Sequence, residues 1–108
     1  MLTEQLTRAL TGHEGEIVVL DIDGGQWPAG PVFDLIGSSP ADTIIECGNE
    51  TVTVGQLLTR LAGQDPKGTA QLYLREGGLG AWYDIGSVRH GRRRLRIMAG
   101  GIRCTASS

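Results

Sequence analysis

The sequence predicts an α+β fold built from two copies of a helix–strand–strand–strand unit, with a mainly antiparallel sheet and two short helices packed on one face. Related segments recur in the same order about fifty residues apart. Each copy opens with an apolar stripe at helical spacing, and short apolar runs separated by glycine pairs follow it. One such unit buries too little surface to be stable alone. We therefore expect a single domain at 1–108, made of pseudo-repeats at 1–50 and 51–104.

The first copy begins with a predicted helix over 2–10. Leucines recur there at helical spacing before Gly12, and glycine often ends a helix. The run 16–22 is rich in β-branched residues and precedes the pair Gly24-Gly25. Such a run indicates a largely buried strand that ends in a turn.

The rest of the first copy is predicted to contain a loop and two strands. Pro28 and Pro31 fall within 27–31, and proline cannot donate a ladder hydrogen bond, so we expect this stretch to be a loop. The residues beyond it predict two strands and the turn between them, at 32–36, 43–47 and 38–40.

The second copy opens with the pattern of a capping box, in which Thr53 stands three residues before Gln56. An apolar stripe then predicts a helix that ends at Gly63. In the strand predicted over 69–75, apolar and polar residues alternate, which is typical of a strand with one solvated face.

A β-hairpin is predicted to close the second copy. Its strands, at 81–89 and 92–98, flank His90-Gly91, which fits a two-residue turn. Along its second strand the apolar residues 95 and 97 alternate with arginines, so the arginines are expected to face outward.

The two copies carry opposite charge. Residues 1–50 hold nine acidic residues and one basic residue, whereas residues 51–108 hold three acidic and nine basic residues. The net charge of the whole chain is only −2. The difference in charge between the two copies therefore says more about binding partners than the net charge does. The acidic and basic surfaces also complement each other, within one chain or between copies in a homo-oligomer.

Cysteine usage and hydropathy indicate a cytoplasmic protein. Two cysteines, Cys47 and Cys104, favour free thiols in a reducing compartment, with one disulfide as the alternative in an oxidising one. The first twenty residues lack the basic start and long apolar core of a secretory signal. No apolar run approaches the roughly 18 residues that cross a membrane, so no membrane partner is expected.

The candidate partner-binding residues are the arginines of the predicted hairpin and one tryptophan in the proline-containing loop: Arg89, Arg92, Arg93, Arg94, Arg96 and Trp27. Guanidinium groups bind carboxylates or phosphates, so the arginines suit an acidic protein or nucleic acid. The alternative is that they solvate a strand edge. The absence of interleaved aromatic residues and lysines favours a protein partner. Trp27 either covers the core or, where exposed, anchors an interface.

One segment, Val18–Gly24, resembles the first motif of the haloacid dehalogenase superfamily. The resemblance implies a phosphatase in which Asp21 is the nucleophile and Asp23 the acid/base. The chain departs from this pattern because Lys67 is its one lysine and no later acidic pair is present to hold magnesium. The alternative is that the two aspartates are a strand-end residue and a turn residue.

No metal, cofactor or catalytic site is predicted. His13, His90 and the cysteines lack the spacing of zinc ligands, and the aspartates near Gly24 lack the remaining ligands of a calcium loop. The glycines of 77–80 lead into a strand rather than a helix, which indicates a hairpin loop and not a phosphate-binding loop.

The second copy, from Thr51-Val52-Thr53-Val54-Gly55-Gln56-Leu57 to residue 98, resembles small uncharacterised proteins of actinobacteria and their phages. The shared features are a Thr-Val-Gly opening to a short helix, a leucine stripe and the strands that follow. The resemblance implies a small accessory protein and carries no known active residues. The first copy lacks the Thr-Val-Gly opening.

The resulting hypothesis is a small non-enzymatic interaction module, phage-related or a host accessory or inhibitor protein, that binds a macromolecular partner through its polarised surface. The alternative is a nucleic-acid-binding module that uses the arginine-rich hairpin. A remote alternative is a phosphatase-like enzyme acting through Asp21 and Asp23.

Overall fold

The computed structural model describes the backbone of residues 1–35, 37 and 39–107, and the side chains over the same ranges as far as residue 102. The helices are α1 (Thr3–Leu10) and α2 (Val54–Leu61). The strands are β1 (Ile17–Ile22), β2 (Gly25–Leu35), β3 (Asp42–Cys47), β4 (Ala70–Glu76), β5 (Leu79–His90) and β6 (Arg94–Ser107). Each helix precedes three strands, which confirms the predicted α+β class and the duplicated unit.

The six strands form one closed barrel in chain order. Within each unit, consecutive strands pair antiparallel. The units join where strands pair in parallel, β3 with β4 and β6 with β1. We call these junctions the β3–β4 seam and the β1–β6 seam. A single sheet therefore contains the strands of both units.

The start of each helix is tied to the segment before the first strand of the other unit. The Thr3 amide donates to the Gly68 carbonyl at 2.8 Å, and the Val54 amide donates to the Glu16 carbonyl at the same distance. These matching bonds make Thr3 equivalent to Val54, and Gly68 equivalent to Glu16. The barrel thus has pseudo-twofold symmetry in its backbone as well as in its order of elements.

Glycine pairs allow close strand crossings in both units. Gly30 of β2 lies against Gly48, and Gly86 of β5 lies against Gly100 of β6. The ladder register shifts beside each pair. A Cβ at Gly48 would lie 2.8 Å from the Gly30 Cα, so a larger residue forces the two backbones apart.

One hydrophobic core lies between the helices and the strands. Its fully buried members include Leu6, Leu10 and Leu57 from the helices and Leu20, Leu72, Leu95 and Ile97 from the strands. The predicted capping box opens α2, since Thr53 Oγ1 accepts from the Gln56 amide at 3.2 Å and Gln56 Oε1 accepts from the Thr53 amide at 2.8 Å. Each helix has eight residues, and no helix in the described ranges is long and apolar enough to cross a bilayer.

The prediction of a loop over 27–31 is wrong, because β2 runs through both prolines. Pro28 pairs with Val19 of β1, and its carbonyl accepts from the Gly48 amide at 2.8 Å. Pro31 lies at the register shift of the β2–β3 ladder, where its missing amide is not needed.

The prediction that β4 has one solvated face is also wrong. Ala70, Gln71, Leu72 and Tyr73 are all buried. Ala70 and Leu72 belong to the hydrophobic core, and on the other face the Tyr73 ring packs against Trp82. The Gln71 side chain is satisfied by donating to the Asp42 carboxylate at 2.9 Å. Two residues of the predicted strand and turn at 32–40, at positions 36 and 38, lie outside the described residues.

Candidate functional site: the arginine hairpin

The arginine cluster occupies the tip of the β5–β6 hairpin. The predicted turn at His90-Gly91 is wrong by two residues, because β5 continues to His90 and β6 begins only at Arg94. The Gly91 amide donates to the Arg94 carbonyl at 2.8 Å, which leaves Arg92 and Arg93 as the two turn residues. Arg93 has a φ of +60°, a left-handed conformation that favours glycine.

The hairpin tip is held against the start of β1. The Ile17 amide donates to the Arg93 carbonyl at 2.9 Å, and the parallel ladder between β1 and β6 begins at Arg94. Leu95 and Ile97 are fully buried, as the predicted alternation requires. The outward-facing arginines therefore project from a rigid base.

Most of the arginine charge is left unpaired. Among the hairpin side chains that the structure describes, four exposed arginines form no ion pair: Arg89, Arg92, Arg93 and Arg94. Arg96 is half-buried, and its Nη1 lies 3.7 Å from Asp21 Oδ2. It also stands directly opposite Arg89 in the ladder. Like charges at opposed positions repel, and Asp21 offsets part of that repulsion.

Protection of a strand edge accounts for Arg89 but not for the turn. The β4–β5 ladder ends at Asp84, so the rest of β5 has β6 as its one ladder neighbour. A charged residue on this open edge discourages pairing with another chain. Arg92 and Arg93 lie in the turn, where there is no edge to protect.

The Trp27 ring is not part of the arginine surface. The residue is half-buried in β2, packs against the hydrophobic core and covers the backbone of Gly25. Its link to the arginines is a shallow groove of about 230 Å³ that Trp27 and Arg94 both line. These contacts favour the role of covering the core.

The two aspartates of the phosphatase-like motif have structural partners. Asp21 faces Arg96, and Asp23 forms a turn with Gly24 in which both residues have positive φ, of 50° and 80°. The Tyr83 hydroxyl donates to Asp23 Oδ2 at 3.4 Å. Burial, together with the nearby Asp23 charge, raises the pKa of Tyr83. These contacts support the strand-end and turn roles for the two aspartates.

Beside the arginine hairpin, the fold brings together three side chains that sequence spacing does not connect. The His13 and His90 rings stack with their centroids 4.1 Å apart. His13 Nδ1 makes a very short contact with Glu16 Oε2. One ligand-capable atom from each of the three residues lies within 4.8 Å of the others. The pairing of β1 with β6 creates this cluster, which is why no local motif predicts it.

Cys47 is a half-buried free thiol on β3. Burial, with smaller contributions from the charges of Glu46 and Glu76, raises its pKa to about 12. The side chains of Cys104 and Arg103 lie outside the described residues.

The chain has no significant match among protein-family models, curated proteins or solved structures. The surface that carries a functional proposal is therefore the arginine hairpin itself, with its exposed charge and its fixed base.

Proposed function

We propose that the protein is a non-enzymatic binding module that recognises an acidic protein surface through the arginines of the β5–β6 hairpin. The observation that carries this proposal is a set of four exposed arginines without acidic partners on a tip anchored to β1. Gathering like charges costs folding free energy. Carboxylates of a partner offset that cost and accept paired hydrogen bonds from each guanidinium group.

The position of the Tyr73–Trp82 pair, away from the hairpin arginines, favours protein over single-stranded nucleic acid. The Tyr73 and Trp82 rings pack against each other with centroids 4.7 Å apart and a tilt of 43° between their planes. Trp82 and Arg89 are seven residues apart on β5, a separation of roughly 20 Å along a strand. Modules that bind single strands place stacking aromatic rings beside their basic groups.

The contacts of the two aspartates support a non-enzymatic role. The aspartates of the phosphatase-like motif are engaged by Arg96 and Tyr83, which supports a non-enzymatic protein. The wider proposal of a small accessory protein, of phage or host origin, follows from the resemblance of residues 51–98. Fold alone does not determine function, so the proposal depends on the site.

The test is a pull-down from nuclease-treated lysate of the source organism, read by mass spectrometry. The bait proteins are the wild type, Arg92→Ala/Arg94→Ala and the control Arg8→Ala/Arg75→Ala, which removes the same charge from exposed positions elsewhere. We expect a protein that binds the wild type and the control but is lost with the hairpin variant.

Two outcomes contradict the proposal. Recovery of the same proteins with the hairpin variant would show that the arginines do not carry the interaction. Retention of no protein from the nuclease-treated lysate, with binding of the chain to duplex DNA that weakens steeply with salt, would favour the nucleic-acid alternative.

A further inference from the structure

We propose that His13, Glu16 and His90 form a binding site for a divalent transition-metal ion of the Zn²⁺ type, which joins the α1–β1 loop to the arginine hairpin. The donors are two imidazoles and one carboxylate, a set that zinc accepts while keeping a fourth position for water or another ligand. Metal binding at this site is independent of partner recognition by the arginines.

The distances require only a local adjustment. One ligand atom from each residue lies within 4.8 Å of the other two. Ligands ~2.1 Å from a tetrahedral ion lie ~3.4 Å from each other, so the farthest ligand atoms have to approach by up to ~1.4 Å. The very short contact between His13 Nδ1 and Glu16 Oε2 has to open so that both atoms can face the ion. The His90 ring is stacked on His13 with an angle of 22° between their planes. Because imidazole donates from the ring plane, His90 must turn out of the stack, and its exposed side chain is free to do so.

The loop that carries the other two ligands is already fixed by backbone hydrogen bonds. The Glu16 amide donates to the His13 carbonyl at 2.9 Å. The first turn of α2 holds the same loop, since Val54 donates to the Glu16 carbonyl at 2.8 Å and Gly55 donates to the Glu14 carbonyl at 3.0 Å. Fixing two of three ligands in advance lowers the entropy cost of capturing an ion.

The equivalent loop at the β3–β4 seam shows that the fold does not need these side chains to close. Gly68 takes the place of Glu16 there, and its amide donates to the Asp65 carbonyl at 3.1 Å. The backbone turn is therefore kept with no side chain at that position. The shape of this turn does not explain why two histidines and a glutamate lie together at the β1–β6 seam.

The neighbouring arginines shape the salt dependence of the site. Their positive charge opposes a cation, and the Glu16 carboxylate counters it. Salt screens exposed charges over about 8 Å at physiological ionic strength, whereas coordination bonds act at contact distance. We therefore expect the zinc affinity to rise as sodium chloride is added.

The first experiment is a Zn²⁺ titration of the full, untagged chain, followed by calorimetry and by NMR of the imidazole rings. The chain has two histidines, so each ring can be followed individually. We expect one ion per chain and shifts of both rings at the same stoichiometric point. His90→Ala should lower the affinity by at least about tenfold, since it removes a direct ligand. The matched control Arg89→Ala should bind zinc as well as the wild type or better.

Three results would overturn the site: no one-to-one complex, a shift of only one ring, or equal affinity in the wild type and His90→Ala. His90 is exposed, so its variant is expected to fold, and circular dichroism checks this. Cys47→Ser controls for thiol binding. Zinc affinity that is lost in Cys47→Ser but kept in His90→Ala would place the ion elsewhere and reject the proposal.

Discussion

The two parallel seams share one backbone frame but differ in the chemistry of their side chains. At the β3–β4 seam, the buried hydroxyls of Thr3 and Thr43 are hydrogen-bonded at 2.8 Å, and Thr3 also donates to the Gly68 carbonyl at 2.9 Å. At the β1–β6 seam the equivalent positions hold Val54 and Leu95, both fully buried. A polar pair in one seam thus corresponds to an apolar pair in the other.

The next position along each seam differs more strongly. Asp42 accepts hydrogen bonds from the Thr69 amide at 3.2 Å and from the Gln71 side chain at 2.9 Å. Its equivalent, Arg94, is exposed and unpaired among the described side chains. The amide that corresponds to that of Thr69 belongs to Ile17, and it donates to a backbone carbonyl instead. A seam can therefore close without unpaired charge, so the charge gathered at the β1–β6 seam is not needed for closure.

The largest expected effect concerns Cys47, whose acidic surroundings contrast with the basic β1–β6 seam. Burial and the charges of Glu46 and Glu76 raise its pKa from 9.0 to about 12. At pH 8 the folded thiol should react with iodoacetamide roughly a thousandfold more slowly than the urea-unfolded chain, because the thiolate is the nucleophile. Peptide mass spectrometry measures the rate at this cysteine, and equal rates would contradict the shift.

The raised pKa of Cys47 also predicts how the free energy of unfolding changes with pH. The unfolded thiol ionises near pH 9, whereas the folded thiol keeps its proton until about pH 12. The free energy of unfolding should therefore fall as pH rises through this window, and Cys47→Ser should make the fall shallower.

The next largest effect contrasts Gly68 with its equivalent, Glu16. A Cβ at Gly68 would overlap the carbonyl oxygen of Ala41, which belongs to the backbone and cannot turn aside. Gly68→Ala should lower the free energy of unfolding by about 3 kcal/mol, the upper range for overpacking. Glu16→Ala, at a half-buried position, should cost less than about 1 kcal/mol. Urea denaturation measures the free energy of unfolding of both variants. Similar losses for the two variants would contradict the expected difference between the seams.

Smaller effects are expected from exchanging the chemistry of the seams. Thr3→Val leaves the buried Thr43 hydroxyl without its partner and should cost about 2 kcal/mol. Adding Thr43→Val reproduces the apolar pair of the other seam, so the double variant should cost less than the sum of the single ones. A double-mutant cycle measures this coupling, and strict additivity would show that the hydroxyls do not interact.

The smallest effect tests repulsion within the hairpin. Arg89→Ala removes the charge opposite Arg96 and should raise the free energy of unfolding by about 0.5 kcal/mol at low salt. The gain should vanish in 1 M sodium chloride, where screening shortens to about 3 Å. Arg8→Ala, on α1, is the control for loss of one exposed charge. A gain that survives high salt would point to packing instead.

Local features of this fold could be predicted from sequence because their causes are local. The Thr53-Gln56 capping box, the buried strand at 17–22 and the outward arginines of β6 each follow from neighbouring residues. The path of β2 could not be predicted, since Pro28 and Pro31 are tolerated only because a bulge and the right partner strand are present.

The closure of the barrel could not be predicted from the sequence. Parallel pairing between β1 and β6 joins segments separated by most of the chain, and neither strand specifies its partner. The meeting of His13 with His90 is a consequence of that closure. The outward-facing arginines could be identified from the sequence pattern. Whether they form ion pairs could not be predicted, because that depends on where the folded chain places the acidic residues of the first unit.

The helix of each unit is hydrogen-bonded to the segment before the first strand of the other unit, and this exchange has a consequence for symmetry. A chain with one such unit would expose two strand edges, and an identical copy paired through both seams would close them as a homodimer. Identical subunits would have to carry the same residues at both junctions. Joining the copies covalently removes that restriction and makes assembly independent of protein concentration. It is this linkage that permits threonine and aspartate at one junction while valine and arginine occupy the other.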